Sequence, residues 1–239
     1  MTRPTRAMVL AAGLGKRMRP ITDTRPKPLV EVAGRTLLDH ALDRLEEAGI
    51  GEAVVNAHYL GHMIKDHLAR RERPRITISE ESELLETGGG VVKALPLLGE
   101  TFFVVNSDVL WLNGRASALR RLATMWDEEQ MDALLLLQRT TTAIGYDGAG
   151  DYFLDPAGVP RRRRLEQVAP FVFSGLQILS RRLFEGCAET KFSLTRLYDQ
   201  AQEAGRLRGV AHDGLWFHIG TPAGLEEAEL ELSQLRSGR

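Results

Sequence analysis

The sequence predicts an α/β protein in three layers: a mixed, mostly parallel sheet with helices on both faces. Three observations point there. Strand-like runs alternate with amphipathic stretches of helical period along the chain. Two runs, residues 7–12 (AMVLAA) and 102–106 (FFVVN), are continuously apolar, as strands covered on both faces are. The first of them runs directly into a glycine turn rich in cations, a junction suited to holding phosphate.

The elements follow in order. Residues 36–48 read as a helix: Thr36 and Asp39 have capping-box spacing, and Leu38, Ala41, Leu42 and Leu45 form one apolar stripe. Gly49 and Gly51 end it. Residues 52–57 are a strand, 60–70 a helix and 76–80 an alternating strand. In 84–93 (LLETGGGVVK) the three glycines are expected to form an open backbone that lies against a flat ligand where a helix starts. After the strand 102–106 come a helix over 115–125, a strand over 132–138 and a glycine-rich turn at 145–151. The arginine run 161–164 reads as a solvated hairpin. Strand 171–179, helix 192–204, strands 207–211 and 215–219, and a last helix from Pro222 through Leu225, Ala228, Glu229 and Leu232 complete the chain.

Composition narrows the function. The chain has 239 residues, 43% hydrophobic and 26% charged, which suits one globular α/β domain over 1–239. A formal net charge of −1 argues against a broad nucleic-acid footprint. The single cysteine, Cys187, rules out an internal disulfide and suits a reducing compartment. No apolar run is long enough to span a membrane. Residues 1–12 mimic a short signal peptide, but the apolar part is needed as the first strand, so a cytoplasmic location is expected. The oligomeric state stays open.

Chemistry concentrates in residues 10–28, LAAGLGKRMRPITDTRPKP. Gly13 and Gly15 let the backbone turn tightly and approach a ligand. Lys16, Arg17 and Arg19 follow, and Lys27 is held between Pro26 and Pro28. This is not a Walker loop, which needs four residues between its glycines and then Lys-Ser or Lys-Thr. Nor is it a dinucleotide fingerprint, because Met18 occupies the third small position. Asp108 closes the second strand run, where a carboxylate at a strand's carboxyl end faces the ligand crevice of an α/β sheet.

Gly-x-Gly-x-Arg-x-x-Pro followed by Pro-Lys-Pro-Leu resembles the signature of the sugar-1-phosphate nucleotidyltransferases, and the similarity extends from Met8 to about Leu232. Within that family the chain is most similar to the uridylyltransferases that act on N-acetylmuramate 1-phosphate in cell-wall recycling. The mannose-1-phosphate guanylyltransferases, which use GTP, are near neighbours. The resemblance implies the Rossmann-like nucleotide-diphospho-sugar transferase fold, a nucleoside triphosphate and a sugar-1-phosphate as substrates, and Mg2+ as cofactor. It assigns Arg17 to the β- and γ-phosphates and Lys27 to the α-phosphate and the attacking phosphate. The nucleotide would lie on Ala11, Ala12, Gly13, Leu14, Gly15, Glu86, Thr87, Gly88 and Asn106, with Asp108 on the metal. A carboxylate at Glu86 accepts equally from uracil N3–H or from guanine N–H groups, so the preference for uridine comes from the resemblance alone. Gly148, Gly150, Asp151, Ser174 and Gly175 are implied sugar contacts.

Two departures from the family pattern stand out. The Glu-Lys-Pro motif whose Lys meets the sugar phosphate is absent, leaving one of the arginines in 161–164 as its candidate substitute. In WFHIGTP, His218 replaces the Asp that supplies the second metal ligand, and imidazole is a poor partner for a hard cation. That departure keeps a non-catalytic sugar-nucleotide sensor as the alternative class.

Overall fold

The computed structural model describes residues 3–238; the two first residues and the last, which belong to the expected 1–239 domain and the signal-like stretch, lie outside the described residues. The chain opens with β1 (Arg6–Leu10), a small ribbon of β2 (Glu31–Val32) and β3 (Arg35–Thr36), α1 (Leu37–Ala48), β4 (Glu52–Ala57), α2 (Gly61–Leu68) and β5 (Arg75–Glu80). Then come α3 (Glu86–Ala94), β6 (Thr101–Asn106), β7 (Val109–Trp111), α4 (Ala118–Met125), β8 (Ala133–Arg139) and β9 (Ala143–Ile144). The rest is β10 (Tyr152–Leu154), β11 (Pro160–Arg162), β12 (Phe171–Ser180), α5 (Thr195–Glu203), β13 (Leu207–Ala211), β14 (Trp216–His218) and α6 (Pro222–Arg236).

The main sheet is mixed, in the order β11-β10-β12-β6-β1-β4-β5, with β8 and β13 joined alongside β12. β6, β1, β4 and β5 are parallel to one another, so their carboxyl ends form one edge. Successive residues of a strand point to opposite faces, and that alternation builds the layers. Ala7, Val9, Phe103 and Val105 face α1, α2 and α4 on one side. Met8, Phe102 and Val104 face α3 and α5 on the other. The expected three layers are thus present. A third cluster, around Met18, Phe217, Ile219 and Ala228, packs α6 and the strip β7-β14-β9 beneath the glycine turn.

Helix α1 follows its sequence signals closely. Thr36 accepts from the Asp39 N–H at 3.0 Å and donates to its carboxylate at 2.9 Å, a cap that stabilises the helix by about 1 kcal/mol. Leu38, Ala41, Leu42 and Leu45 are fully buried, and Gly49 ends the helix at φ 90°.

Several boundaries differ, each for a non-local reason. β1 stops at Leu10 because the Ala11 N–H leaves the ladder for the Asn56 side chain at 2.6 Å. The glycines of 88–90 lie inside α3, correcting the expected open loop. They let other parts of the protein approach: a Cβ at Gly88 would run into the Phe192 ring, and one at Gly89 into the Thr190 carbonyl. α4 starts at Ala118, where Ser117 accepts from the Arg120 N–H. α5 starts at Thr195 instead of residue 192, because the Phe192 carbonyl accepts from the Gly88 N–H at 2.8 Å and its segment lies against α3. Among the described residues no helix is long and apolar enough to cross a membrane.

Candidate active site

A cleft of about 490 Å³ opens at the carboxyl ends of β1, β4 and β6. One wall is the turn after β1, where Ala11, Ala12, Gly13, Gly15, Lys16 and Arg17 line the space. Gly15 sits at φ 61°, and a Cβ there would stand 3.0 Å from the Thr22 methyl and 3.2 Å from Lys27 Cβ. Thr22 Oγ1 donates to the Gly15 carbonyl at 2.8 Å and locks the turn. Met18, fully buried in the third cluster, anchors the next turn of chain and leaves Lys16 and Arg17 exposed on the cleft side. Among the described residues, none accepts from the backbone N–H groups of Gly13, Leu14 or Gly15. Successive unused N–H groups beside cations make an anion-binding concavity.

The floor is a charge pair. Lys27 is 8% exposed, and its Nζ donates to Asp108 Oδ2 at 2.9 Å. Ser107 ties the ends of β1 and β6 together, its Oγ donating to the Leu10 carbonyl at 2.7 Å. Asp108 keeps 35% of its side-chain surface open toward the cleft. Protein packed around its other sides works against its charge. The Lys27 ammonium and hydrogen bond, with smaller help from His218 and Arg17, outweigh that and hold the carboxyl below its usual value. It is therefore ionised at neutral pH.

The opposite wall is the first turn of α3 and the chain just before it, where Leu84, Glu86 and Thr87 line the cleft beside Ser193. Glu86 has φ 59°, in the left-handed region that side chains seldom adopt. Thr87 Oγ1 accepts from the Leu194 N–H at 2.9 Å, which fastens this wall to the segment before α5. Asn106 lines the cleft between the two walls.

Ala11, Ala12, Gly13, Gly15, Arg17, Lys27, Glu86, Thr87, Asn106 and Asp108 therefore meet around one cavity. Leu14 and Gly88 do not line it: Leu14 is half-buried beside it, and Gly88 is buried under Phe192. Arg19 points away into an ion pair with Asp23 at 3.1 Å.

The residues expected at the sugar serve as supports outside this cavity. Ser174 is fully buried, its hydroxyl donating to the Leu136 carbonyl at 2.8 Å and its own carbonyl accepting from Trp216 Nε1. Gly175, at φ 85°, sits in the bulge of β12 and makes room for Asn106. Gly148 packs on Tyr146, and the Gly150 N–H donates to the Tyr146 hydroxyl at 3.0 Å. Asp151 Oδ2 accepts from the Phe173 N–H at 2.8 Å. The arginine run is a braced hairpin lining a separate hollow with Asp151: Arg162 pairs with Asp199, and Arg163 Nε donates to the Gly150 carbonyl at 2.6 Å.

His218 is placed by register. β14 pairs with β7 so that His218 stands opposite Val109, the neighbour of Asp108. Its ring stacks on Trp216 at 5.8 Å and meets Tyr146 edge-on at 5.9 Å. Gly220 has no room for a Cβ, because the imidazole Nε2 would occupy it. Burial lowers the His218 pKa, the Asp108 charge opposes this, and Lys27 and Arg17 add to it, so the ring is neutral at pH 7.

One polar lining residue, Asn56, and one buried carboxylate behind it, Glu81, are absent from the sequence reading. Asn56 ends an apolar strand just as Asn106 does, so its signal was there in AVVN. Glu81, buried behind it, carried none.

Residues 6–146 match the model of the nucleotidyl transferase family. The chain belongs to that family. Two of the most similar relatives are N-acetylmuramate alpha-1-phosphate uridylyltransferases. The one from Caulobacter vibrioides is 45% identical over 97% of this chain and 98% of its own. The one from Neisseria meningitidis serogroup B is 37% identical over 94% and 96%. A mannose-1-phosphate guanylyltransferase catalytic subunit from Xenopus tropicalis is more distant, 26% identical over 91% of this chain and 61% of its own. The transferase fold also matches a UDP-glucose pyrophosphorylase solved with UDP-glucose, at TM-score 0.80 and 17% identity over 98% and 100% of the two chains. Homologues and structural neighbours alike are sugar-1-phosphate nucleotidyltransferases, and this nucleotidyl transferase is an enzyme of that kind.

Proposed function

We propose that the protein joins N-acetylmuramate 1-phosphate to UTP, releasing pyrophosphate, as a step of cell-wall recycling in the cytoplasm, with one domain over 1–239 holding both substrates. The observation that carries this is the Lys27–Asp108 pair set between an open N–H turn and the Glu86–Thr87 wall. Uridylyltransferase relatives over nearly the whole chain support the substrate pair.

The attacking oxygen of a sugar-1-phosphate is already anionic, so no general base is needed. Catalysis is then alignment and neutralisation of charge. The unused N–H groups of Gly13 to Gly15 cradle the triphosphate, Arg17 takes the β- and γ-phosphates, and Lys27 neutralises the α-phosphate and the incoming phosphate. Glu86 accepts from uracil N3–H.

The residues fit a divalent cation of a particular kind. Among the described residues there is no group of three or more His, Cys, Asp or Glu that could hold a metal ion by itself. Asp108, with one oxygen given to Lys27, offers its other oxygen as a hard donor beside the anion-binding turn. Magnesium is commonly held by one or two carboxylates with phosphate oxygens and waters, so Asp108 would share it with the triphosphate. Bound there, it would neutralise charge on the phosphates.

A matrix of nucleoside triphosphates against sugar-1-phosphates, scored by pyrophosphate release, tests the assignment. UTP should be used at least about tenfold better than GTP, the ratio that ~1.4 kcal/mol of discrimination produces. Equal turnover with GTP would favour the mannose-1-phosphate reading, and no turnover with any pair would favour the sensor.

The metal has its own test. In the absence of nucleotide, magnesium should bind weakly, and its affinity should rise when UTP is added. His218→Asp should be tolerated and should tighten metal binding by isothermal titration, because it adds a hard oxygen donor opposite Val109. Loss of all activity in a folded His218→Asp variant would give His218 a chemical role beyond this scheme.

A further inference from the structure

Asn56 and Glu81 lie in different elements but form one hydrogen-bonded chain. The Ala11 N–H donates to Asn56 Oδ1 at 2.6 Å, Asn56 Nδ2 donates to Glu81 Oε1 at 2.6 Å, and the Leu85 N–H donates to Glu81 Oε2 at 3.1 Å. Both side chains are buried, at 2% and 5% exposure. The far side is closed by Gly90, where a Cβ would stand 2.7 Å from Glu81 Oε1 and 2.9 Å from Asn56 Nδ2. The chain thus runs from the first residue of the anion-binding turn to the residue that precedes Glu86.

Its polarity is fixed at both ends by backbone donors. Asn56 must accept from Ala11, so it presents its NH2 to residue 81. Residue 81 then faces a donor on each side and must accept twice. Only a carboxylate does that; a glutamine would set its own NH2 against one of the two. An anion also suits the start of α3, whose cap residue, Leu85, offers no side-chain bond of its own and gives its N–H to Glu81.

We infer that Glu81 and Asn56 are positioning residues for nucleotide recognition: they set the distance between the phosphate-holding turn and the base-reading wall. Neither does chemistry. Together they make two walls of the cleft move as one body, so a nucleotide meets both in register. This rests on the cleft being a nucleotide site, but not on which sugar or base is used.

The donor and acceptor pattern supplies its own test. Glu81→Gln and Asn56→Asp each leave one mismatched buried pair, donor against donor in the first and acceptor against acceptor in the second. The double variant Asn56→Asp, Glu81→Gln reverses the middle bond and satisfies every group again, at unchanged net charge. Nucleotide affinity would be read by calorimetry without sugar phosphate, using whichever of the four common triphosphates the wild type binds tightest. Each single change should weaken binding roughly tenfold or more. In any variant that turns over, KM for nucleotide should rise more than kcat falls. The double should regain most of the affinity, short of complete because its carboxylate now lies nearer the phosphates. A single variant that fails to fold leaves the double as the deciding protein: folded and binding, it supports the inference. Single variants that bind like the wild type, or a double no better than the worse single, would overturn it. Failure to transfer to any sugar phosphate would sink the proposed reaction and leave this measurement intact.

Discussion

Replacing Lys27 with alanine should lower kcat by about 10²- to 10³-fold, the usual effect of losing one charge contact to a transferring group. The fold should survive. Removing one partner of a fully buried pair costs about 3–5 kcal/mol, because the other charge is stranded. Asp108 escapes most of that, since 35% of its side-chain surface is open to the cleft and water can replace the ammonium. Circular dichroism melting should therefore move little while single-turnover pyrophosphate release collapses. Asp108→Asn is the companion variant for the melting measurement, since it leaves Lys27 in place and removes the partner's charge while keeping an oxygen that can accept from the ammonium. If Lys27→Ala keeps near-normal kcat, the side chain is a structural counter-ion for Asp108 and nothing more.

Arg17→Ala should lose on the order of 10² in kcat, and Arg19→Ala should stay within about twofold of wild type. The two residues are close in sequence, yet the structure separates them. Met18 is buried between them; Arg17 lines the cleft, and Arg19 turns out to the Asp23 carboxylate. An exposed pair of that kind contributes about 0–1 kcal/mol. Parallel steady-state measurements on both variants decide it. Equal losses would mean that the whole cationic run acts as a diffuse field, and that Arg17 holds no particular phosphate.

Much of this was readable in the residues, and the reasons differ from place to place. Helix α1 was legible because its cap, stripe and terminal glycine are all local. The end of β6 was legible because a polar Asn-Ser-Asp follows an apolar run, and such an end faces the crevice. The extent of helix α3 was not legible because three adjacent glycines disfavour a helix, whereas here Phe192 and Thr190 need the space they leave. The start of α5 shifted for the same contact seen from its other side. The expected sugar residues rested on resemblance, and the structure adds that Ser174 is buried and that Asp151 braces the Phe173 backbone. The Asn56–Glu81 chain joins residues 45 and 25 positions apart, and no local pattern announces such a partnership.

The glycine triplet of α3 limits how the enzyme can be made more robust. Exchanging helical glycines for alanine is a standard route to thermostability, gaining about 0.4–1 kcal/mol where the backbone permits it. Three glycines leave α3 roughly 2–3 kcal/mol short of an alanine helix, which makes it the obvious target. Every one of the three substitutions meets protein: the Phe192 ring, the Thr190 carbonyl or the Glu81 carboxylate. The helix is instead fastened from outside, by the Phe192 carbonyl on Gly88 and the Leu194 N–H on Thr87. Its local opening therefore depends on the segment before α5 staying in place, and heat resistance in this region is better sought by stiffening residues 188–194 than by improving the helix itself.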